Sequence, residues 1–127
     1  MRFPLPSFPS EFEIPDDWLA EAGVLRFTPT TQAYRSTGDA TLVALSEIEP
    51  PPRLLTYPKD WRGFDRSRLV KVLKEIVSDN EIWPVPLHKL LTQQYLPTPY
   101  CYCVANGYHR FYATIIAGYK FLPAAIL

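Results

Sequence analysis

Residues 104–119 read VANGYHRFYATIIAGY, and this stretch decides how the C-terminal part of the chain folds. An Asn106-Gly107 turn is followed by Tyr-His-Arg and then by small and apolar residues. We predict a helix over 109–117 that ends at Gly118. A strand that turns through a glycine into a helix exposes the first N–H groups of that helix, which are the positive end of its dipole. The pattern therefore favours a phosphate or carboxylate ligand.

The residues at this turn are candidate ligand contacts. Gly107 leaves out a side chain where a phosphate would approach the backbone. Arg110 would add a bidentate contact, and His109 a further donor or a proton carrier, which makes it the candidate catalytic residue. Tyr108 is their neighbour. The spacing alone leaves a second interpretation open, in which an ordinary turn carries a structural His109 and an Arg110 paired to a local acid.

The first part of the chain has short elements and many prolines. We predict that residues 1–15 form an extended arm interrupted by prolines. An acidic opening and Gly23 bracket a short helix over 16–22. VLRF at 24–27 is a candidate strand, and ATLVALSEI at 40–48 predicts a stronger one.

The second part completes a compact α+β domain. Apolar residues repeat at helical spacing over 69–77, after Asp65 as N-cap. IWPVPLHKLL then predicts an extended segment, in which Pro84 and Pro86 exclude a central strand. YCYCVA and FLPAAIL predict strands on either side of the 109–117 helix. We expect a mixed sheet with a few helices and an irregular N-terminal extension.

Composition points to one soluble domain of 127 residues, 47% of them hydrophobic and 20% charged. No apolar run is long enough to span a membrane, and the N-terminus is unlike a secretory signal, so we expect a cytoplasmic protein. Cys101 and Cys103 would share one face of a strand, where their side chains are too far apart for an unstrained disulfide. We predict that both are small core residues. No metal site is predicted, and Asp60, Asp65 and Glu75 are magnesium candidates by residue type alone.

The zero net charge hides a segregation along the chain. Residues 1–52 carry three basic and eight acidic side chains, whereas residues 53–74 carry seven basic and two acidic ones. Such a basic segment attracts the phosphates of a nucleotide or a nucleic acid. Arg68 and Lys71 are the candidate nucleic-acid contacts on its helix, and a solvated helix face is the alternative.

NGYHRFYATIIAGYKFLPAAIL, at 106–127, resembles the signature of the ParB/sulfiredoxin superfamily. In that superfamily a strand leads to a Gly-x-His-Arg or Gly-Glu-Arg-Arg turn, followed by a helix and a closing strand. LSEIEPPPR resembles its first strand and proline-arginine break, and FDRSRLVKVLKEIVSDNEIWPVPLHKL resembles its helix and following strand. The resemblance implies a ParB/sulfiredoxin-like domain over 40–127, behind an N-terminal extension with a short helix over 1–39.

The resemblance also implies a ligand. In the superfamily the glycine-led turn holds nucleotide phosphates, which implies Gly107, Tyr108, His109 and Arg110 as phosphate or nucleotide contacts. Arg53 is a second basic contact by the same resemblance. A nucleoside triphosphate, with or without Mg²⁺, is the implied ligand. Weak NTP hydrolysis or nuclease activity is implied by some relatives, and whether this chain catalyses a reaction stays open.

Two departures from the superfamily pattern limit which of its activities the resemblance implies for this chain. Sulfiredoxins carry a reactive cysteine directly before the His-Arg pair, where this chain has Tyr108. A phenol with a pKa of about 10 cannot take over thiolate chemistry, so we do not expect cysteine-sulfinic acid reduction. The partition proteins need a glutamate after the glycine for nucleotide gating and carry a helix-turn-helix domain downstream. The chain ends where the superfamily domain ends, so we expect no separate DNA-reading module.

Two other functions fit the sequence. One is a non-enzymatic interaction module, whose N-terminal arm docks a protein partner or a second copy through aromatic residues. Those residues are Phe3, Phe8, Phe12 and Trp18. The other is nucleic-acid binding through the 53–74 segment, with Tyr57 and Trp61 stacking on bases. The zero net charge makes this last function the weakest.

Overall fold

The computed structural model describes residues 1–6, 10–52, 60–90 and 100–127. Within these ranges the chain forms three α-helices, seven strands and two short 3₁₀ helices, which confirms the predicted α+β class. The helices and strands are, in chain order, β1 (Arg2–Pro4), β2 (Glu11–Glu13), α1 (Asp16–Ala22), β3 (Thr41–Ala44), β4 (Ile48–Glu49), α2 (Arg66–Val77), β5 (Val85–Lys89), β6 (Tyr102–Val104), α3 (Tyr108–Ala117) and β7 (Phe121–Ile126).

Five strands form one mixed sheet in the order β3-β7-β5-β6-β4. The β3–β7 and β5–β6 pairs are antiparallel, and the β5–β7 and β4–β6 pairs are parallel. Strands β1 and β2 form a separate antiparallel pair in which Phe3 lies opposite Phe12. Helix α3 leads from β6 to β7, and its buried face includes Phe111, Tyr112 and Ile116. It packs against α2, which places the N-terminal turn of α3 beside α2.

The predicted helices are confirmed with small changes at their ends. Helix α1 ends at Gly23, whose φ of 75° is left-handed. Helix α2 has Asp65 as its N-cap, and the Arg68 N–H donates to Asp65 Oδ1 at 3.1 Å. Helix α3 begins one residue earlier than predicted and ends before Gly118. These ends follow local rules of helix capping, which is why the sequence predicts them well.

The predicted strand over 40–48 is wrong as one element. A 3₁₀ turn at Leu45–Glu47 separates β3 from β4, and these two strands lie at opposite edges of the sheet. Only four Cα–Cα steps, at most about 14 Å, join Ala44 to Ile48, so the two edges must lie close together and the sheet must be strongly curled. Leu45 and Ile48 are both buried at this crossing.

Two further strand predictions need correction. The VLRF segment is a 3₁₀ helix at Val24–Arg26, because the left-handed Gly23 turns the chain directly before it. Pro86 does not exclude a central strand, since β5 is the middle strand of five. The Pro86 carbonyl accepts from the Ala105 N–H at 2.9 Å, one residue past the end of β6. The N–H that proline lacks therefore falls where the neighbouring strand has ended.

The N-terminal residues belong to the hydrophobic core. Phe12 and Ile14 are buried, as are Trp18 and Leu19 on α1. The ring of Phe12 lies 5.0 Å from that of Tyr112 on α3. The described residues of the predicted arm thus include the paired strands β1 and β2, and Phe12 and Trp18 face inward and cannot dock a partner. Phe8 of the predicted docking set lies outside the described residues.

The two cysteines are not core residues, contrary to the prediction. Cys101 is exposed and Cys103 is half-buried, and both are free thiols. Cys103 lies opposite His88 in the β5–β6 pair, and directly opposite residues share one face of a sheet. His88 is exposed, so this face points away from the core. The alternation of residues along β6 does not show which face is buried.

None of the helices in the described ranges combines the length and the apolar character needed to cross a bilayer.

Candidate functional site

A cleft of about 860 Å³ lies between the N-terminus of α3 and one side of α2. Its walls include Gly107, Tyr108, His109 and Arg110 from the turn and α3, and Arg68 and Lys71 from α2. Arg53 lies outside the described residues, although its neighbour Pro52 lines the cleft. The structure thus brings together the six predicted contact residues that it describes, although they come from two separate parts of the sequence.

Gly107 is required for a different reason from the predicted one. Its φ of 107° is left-handed, and an added Cβ would lie 2.9 Å from Arg110 Nη2. The Arg110 guanidinium therefore folds back over the glycine and fills the space that we had assigned to a phosphate. An anion at this helix end would meet the guanidinium together with the backbone rather than the bare glycine.

The Arg110 guanidinium is held by backbone oxygens. Its Nη1 donates to the carbonyls of Trp83, at 3.0 Å, and Pro84, at 2.9 Å. The Trp83 carbonyl also accepts from the Tyr34 hydroxyl at 2.7 Å. Burial raises the pKa of the Tyr34 phenol, against a smaller lowering by Arg110, so this hydroxyl stays a donor.

No carboxylate in the described ranges forms an ion pair with Arg110. The sequence left open that a local acid neutralises this arginine, and the described structure shows carbonyl oxygens instead. Carbonyls fix the position of a guanidinium without cancelling its charge. The positive charge of Arg110 is thus retained at the cleft wall.

His109 connects the beginnings of two helices. The Asp65 N–H donates to His109 Nε2 at 3.0 Å, so this nitrogen is the acceptor in the bond. The imidazole also contacts the Phe64 ring, with the ring centroids 6.2 Å apart. The predicted catalytic residue is therefore held in a fixed orientation between α3 and the N-cap of α2.

Helices α2 and α3 differ in how their N-termini are capped. At α2, Asp65 accepts from the Arg68 N–H, and Asp60 Oδ2 accepts from the Arg66 N–H at 2.7 Å. The hydrogen bond from the Arg68 N–H and, to a smaller extent, that from the Ser67 hydroxyl lower the pKa of Asp65. At α3 the N-cap is Gly107, which has no side chain to accept a hydrogen bond. The α2 terminus is thus neutralised by its own acids, whereas α3 has no carboxylate at its cap.

The cleft is lined by more basic than acidic side chains within the described residues. Arg68 and Lys71 form no ion pair with any carboxylate in the described part of the chain. The two acids of the cleft are Glu81, which pairs with Arg35 at 3.5 Å, and Glu75. Glu75 lies about two helical turns beyond Arg68. The three cations Arg68, Lys71 and Arg110 therefore outnumber the two acids of the cleft, and Glu81 has a basic partner of its own.

No family model, curated protein or solved structure matches this chain. The resemblance to the ParB/sulfiredoxin superfamily thus stays a hypothesis that depends on the quoted motifs.

In its described part, residues 60–74, the basic segment does not form one continuous surface. Arg66 contacts Asp17 at 3.3 Å and Glu21 at 3.1 Å, so it joins α2 to the acidic α1. The Trp61 indole N–H donates to the Glu13 carbonyl at 2.9 Å, and the Arg62 guanidinium lies 4.7 Å from its ring. Trp61 is thus engaged within the protein. Tyr57 lies outside the described residues.

The magnesium candidates do not converge. Asp60 and Asp65 both cap α2, and only Glu75 lines the cleft. In the ranges that the structure describes, no three acids, histidines or cysteines are arranged to hold a metal ion.

Sequence reasoning missed Trp83 and Gly63, which also line the cleft. Gly63 lies in a tight turn closed by the Phe64 N–H, which donates to the Trp61 carbonyl at 2.7 Å. Gly63 has a φ of 90°, and a glycine at this position is the turn signal that the sequence contains. Trp83 precedes a proline in an irregular segment, and no periodicity shows which way its ring points.

Proposed function

We propose that this cleft binds the phosphate groups of a nucleotide, and that the chain is a nucleotide-binding protein with a ParB/sulfiredoxin-like domain. The observation that carries the proposal is that Arg68, Lys71 and Arg110 line one cleft together with the glycine-capped N-terminus of α3. None of these cations has a carboxylate partner within the described residues.

The physical basis is the sum of a helix dipole and fixed cations. The first turn of a helix attracts anions, worth about 0.3–1 kcal/mol at exposed sites. Arg110 adds a charge whose position is set by two carbonyl hydrogen bonds, so little ordering is needed when a phosphate arrives. The volume of about 860 Å³ lies within the usual range for small-molecule sites.

The geometry favours binding over efficient turnover. A general base must be free to take a proton from the reacting group, and His109 Nε2 already accepts from the Asp65 N–H. Catalysis through this nitrogen would first require that hydrogen bond to break. Weak NTP hydrolysis, with His109 as the proton carrier, is the secondary form of this proposal.

Thermal unfolding in the presence of ATP, CTP, GTP and inorganic phosphate tests the proposal. A ligand at a hundredfold excess over its Kd stabilises the folded state by about 2.7 kcal/mol, which is a shift of several degrees. Arg68→Gln or Lys71→Gln should weaken nucleotide binding about tenfold each, because each removes a charged contact.

Lys74→Gln is the matched control. It removes the same charge from the same helix, but Lys74 does not line the cleft. The proposal fails if none of the nucleotides stabilises the chain at millimolar concentration, or if Lys74→Gln weakens binding as much as Lys71→Gln.

A further inference from the structure

Trp83 is an exposed aromatic residue on the wall of the cleft. Its side chain is 74% exposed, more than any other large hydrophobic residue in the described ranges. Large aromatic side chains are usually buried, where each contributes a large apolar area to stability. In this structure Trp83 instead lines the cleft, together with Arg68, Lys71 and Arg110.

The backbone that carries this indole is firmly held. The Trp83 carbonyl accepts from both Arg110 Nη1 and the Tyr34 hydroxyl. The preceding Ile82 donates to the Arg35 carbonyl at 2.9 Å and accepts from the Thr37 N–H at 3.0 Å. The following Pro84 restricts Trp83 to extended conformations. The exposed ring thus projects from a fixed segment, which lowers the entropic cost of using it for binding.

One guanidinium connects the indole-bearing residue to the phosphate-binding turn. Arg110 lies against Gly107 on one side, with Nη2 2.9 Å from the position of an added Cβ. Its Nη1 lies 3.0 Å from the Trp83 carbonyl on the other side. The start of α3 and the backbone of Trp83 are therefore separated by the width of one arginine head group. A ligand with an anionic end and a planar aromatic end matches this arrangement.

We propose that Trp83 stacks on the base of the bound nucleotide and makes the site selective for nucleotides over phosphates that lack an aromatic group. This inference rests on the function proposed above, because the phosphate contacts place the base. Stacking accepts every base, since each presents a π-face. Trp83 should therefore contribute affinity to ATP, CTP and GTP alike.

Isothermal titration calorimetry of the full chain with ATP, CTP, GTP and inorganic tripolyphosphate tests the inference. Trp83→Ala should weaken binding of the three nucleotides by about tenfold to a hundredfold and leave tripolyphosphate affinity unchanged. Trp83→Phe should recover part of the nucleotide affinity. Leu25→Ala, at another exposed apolar residue that does not line the cleft, is the control and should change neither.

The outcomes separate the two proposals. If tripolyphosphate binds as tightly as the nucleotides, or if Trp83→Ala leaves nucleotide affinity unchanged, the stacking role is overturned while phosphate binding stands. If neither tripolyphosphate nor any nucleotide binds, the phosphate site is wrong and the stacking role is overturned with it. A loss of nucleotide affinity in Trp83→Ala with tripolyphosphate binding retained supports both.

Discussion

At position 107 both the left-handed backbone and the nearby Arg110 side chain require a glycine. A residue with a Cβ would have to adopt a left-handed φ and also displace the Arg110 guanidinium. We predict that Gly107→Ala lowers the free energy of unfolding by roughly 1–2 kcal/mol for the backbone and about 1–3 kcal/mol more for the displaced guanidinium. Urea denaturation measures the sum.

Gly38→Ala separates the two costs. Gly38 has a φ of 62°, but no atom lies within 4 Å of an added Cβ, so only the backbone cost applies there. In an Arg110→Ala background, Gly107→Ala should lose its additional cost. Equal destabilisation at both glycines would contradict the contact between Gly107 and Arg110.

We predict that His109 stabilises the fold mainly through its hydrogen-bond acceptor rather than through the packing of its aromatic ring. His109→Phe keeps an aromatic group near Phe64 but leaves the Asp65 N–H without its acceptor. This should cost about 1–3 kcal/mol of unfolding free energy, measured in urea. His109→Gln presents an amide oxygen at a similar reach and should lose less. If the phenylalanine variant is as stable as the parent, the hydrogen bond contributes nothing to the folded state.

At the level of elements, the N-terminus of α2 should show a pH dependence. Hydrogen bonds lower the pKa of Asp65 in the folded state, so its contribution is present above the unfolded pKa of about 3.9. It is lost as the pH falls through the lower folded-state pKa. Asp65→Ala should cost about 1 kcal/mol at pH 7 and less in acid, by urea unfolding at each pH.

Asp65→Asn is the control for that prediction, because asparagine caps a helix as well as aspartate does. The Asp65→Asn variant should keep most of the unfolding free energy at pH 7, and the contribution of the cap should no longer change as the pH falls. An alanine variant that is equally destabilised at pH 7 and pH 2 would contradict an ionised cap.

Helix ends set by local chemistry, and the strands β6 and β7, could be predicted, whereas the order and pairing of the strands in the sheet could not. Asp65 and Gly118 define helix ends through their immediate neighbours. By contrast, Pro86 can sit in a central strand only because β6 ends beside it, and the break at Leu45–Glu47 depends on where β7 and β6 lie. Both features depend on which distant strands pair with each other, and a single sequence does not show those pairings.

The same division holds for the site. The Gly-x-His-Arg turn and the basic face of α2 are visible in the sequence, and the structure brings both to one cleft. The hydrogen bond of His109 joins residues 44 positions apart, and those of Arg110 to Trp83 and Pro84 span 27 and 26 positions. No local pattern predicts such partners, so a motif that reads as ligand contacts also proves to be a structural junction.

At the scale of the whole molecule, the segregated charges meet in space. The acidic helix α1 packs on α2, where Arg66 contacts both Asp17 and Glu21. These pairs are largely exposed, so each contributes about 0–1 kcal/mol. The α1 acids thus neutralise Arg66, which does not line the cleft, whereas Arg68 and Lys71, which do, have no carboxylate partner in the described residues.

The N-terminal arm offers the last prediction, which distinguishes a structural role from a docking role. Phe12 is 2% exposed, and its ring lies 5.0 Å from that of Tyr112 and 6.0 Å from that of Phe64, the residue before the α2 cap. Phe12→Ala should therefore lower the unfolding free energy by about 3–5 kcal/mol, the usual cost of emptying a phenylalanine site in a core. Thermal and urea unfolding followed by circular dichroism measure this loss.

Phe3→Ala is the matched control, because Phe3 stacks on Phe12 at 5.4 Å but is only half-buried. It should cost markedly less than Phe12→Ala. Because Phe12 and Phe64 form part of the packing behind His109, the Phe12 variant should also weaken nucleotide binding, whereas the Phe3 variant should not. If both variants keep the stability of the parent chain, the arm does not belong to the core, and a surface that docks a partner becomes the better account of its aromatic residues.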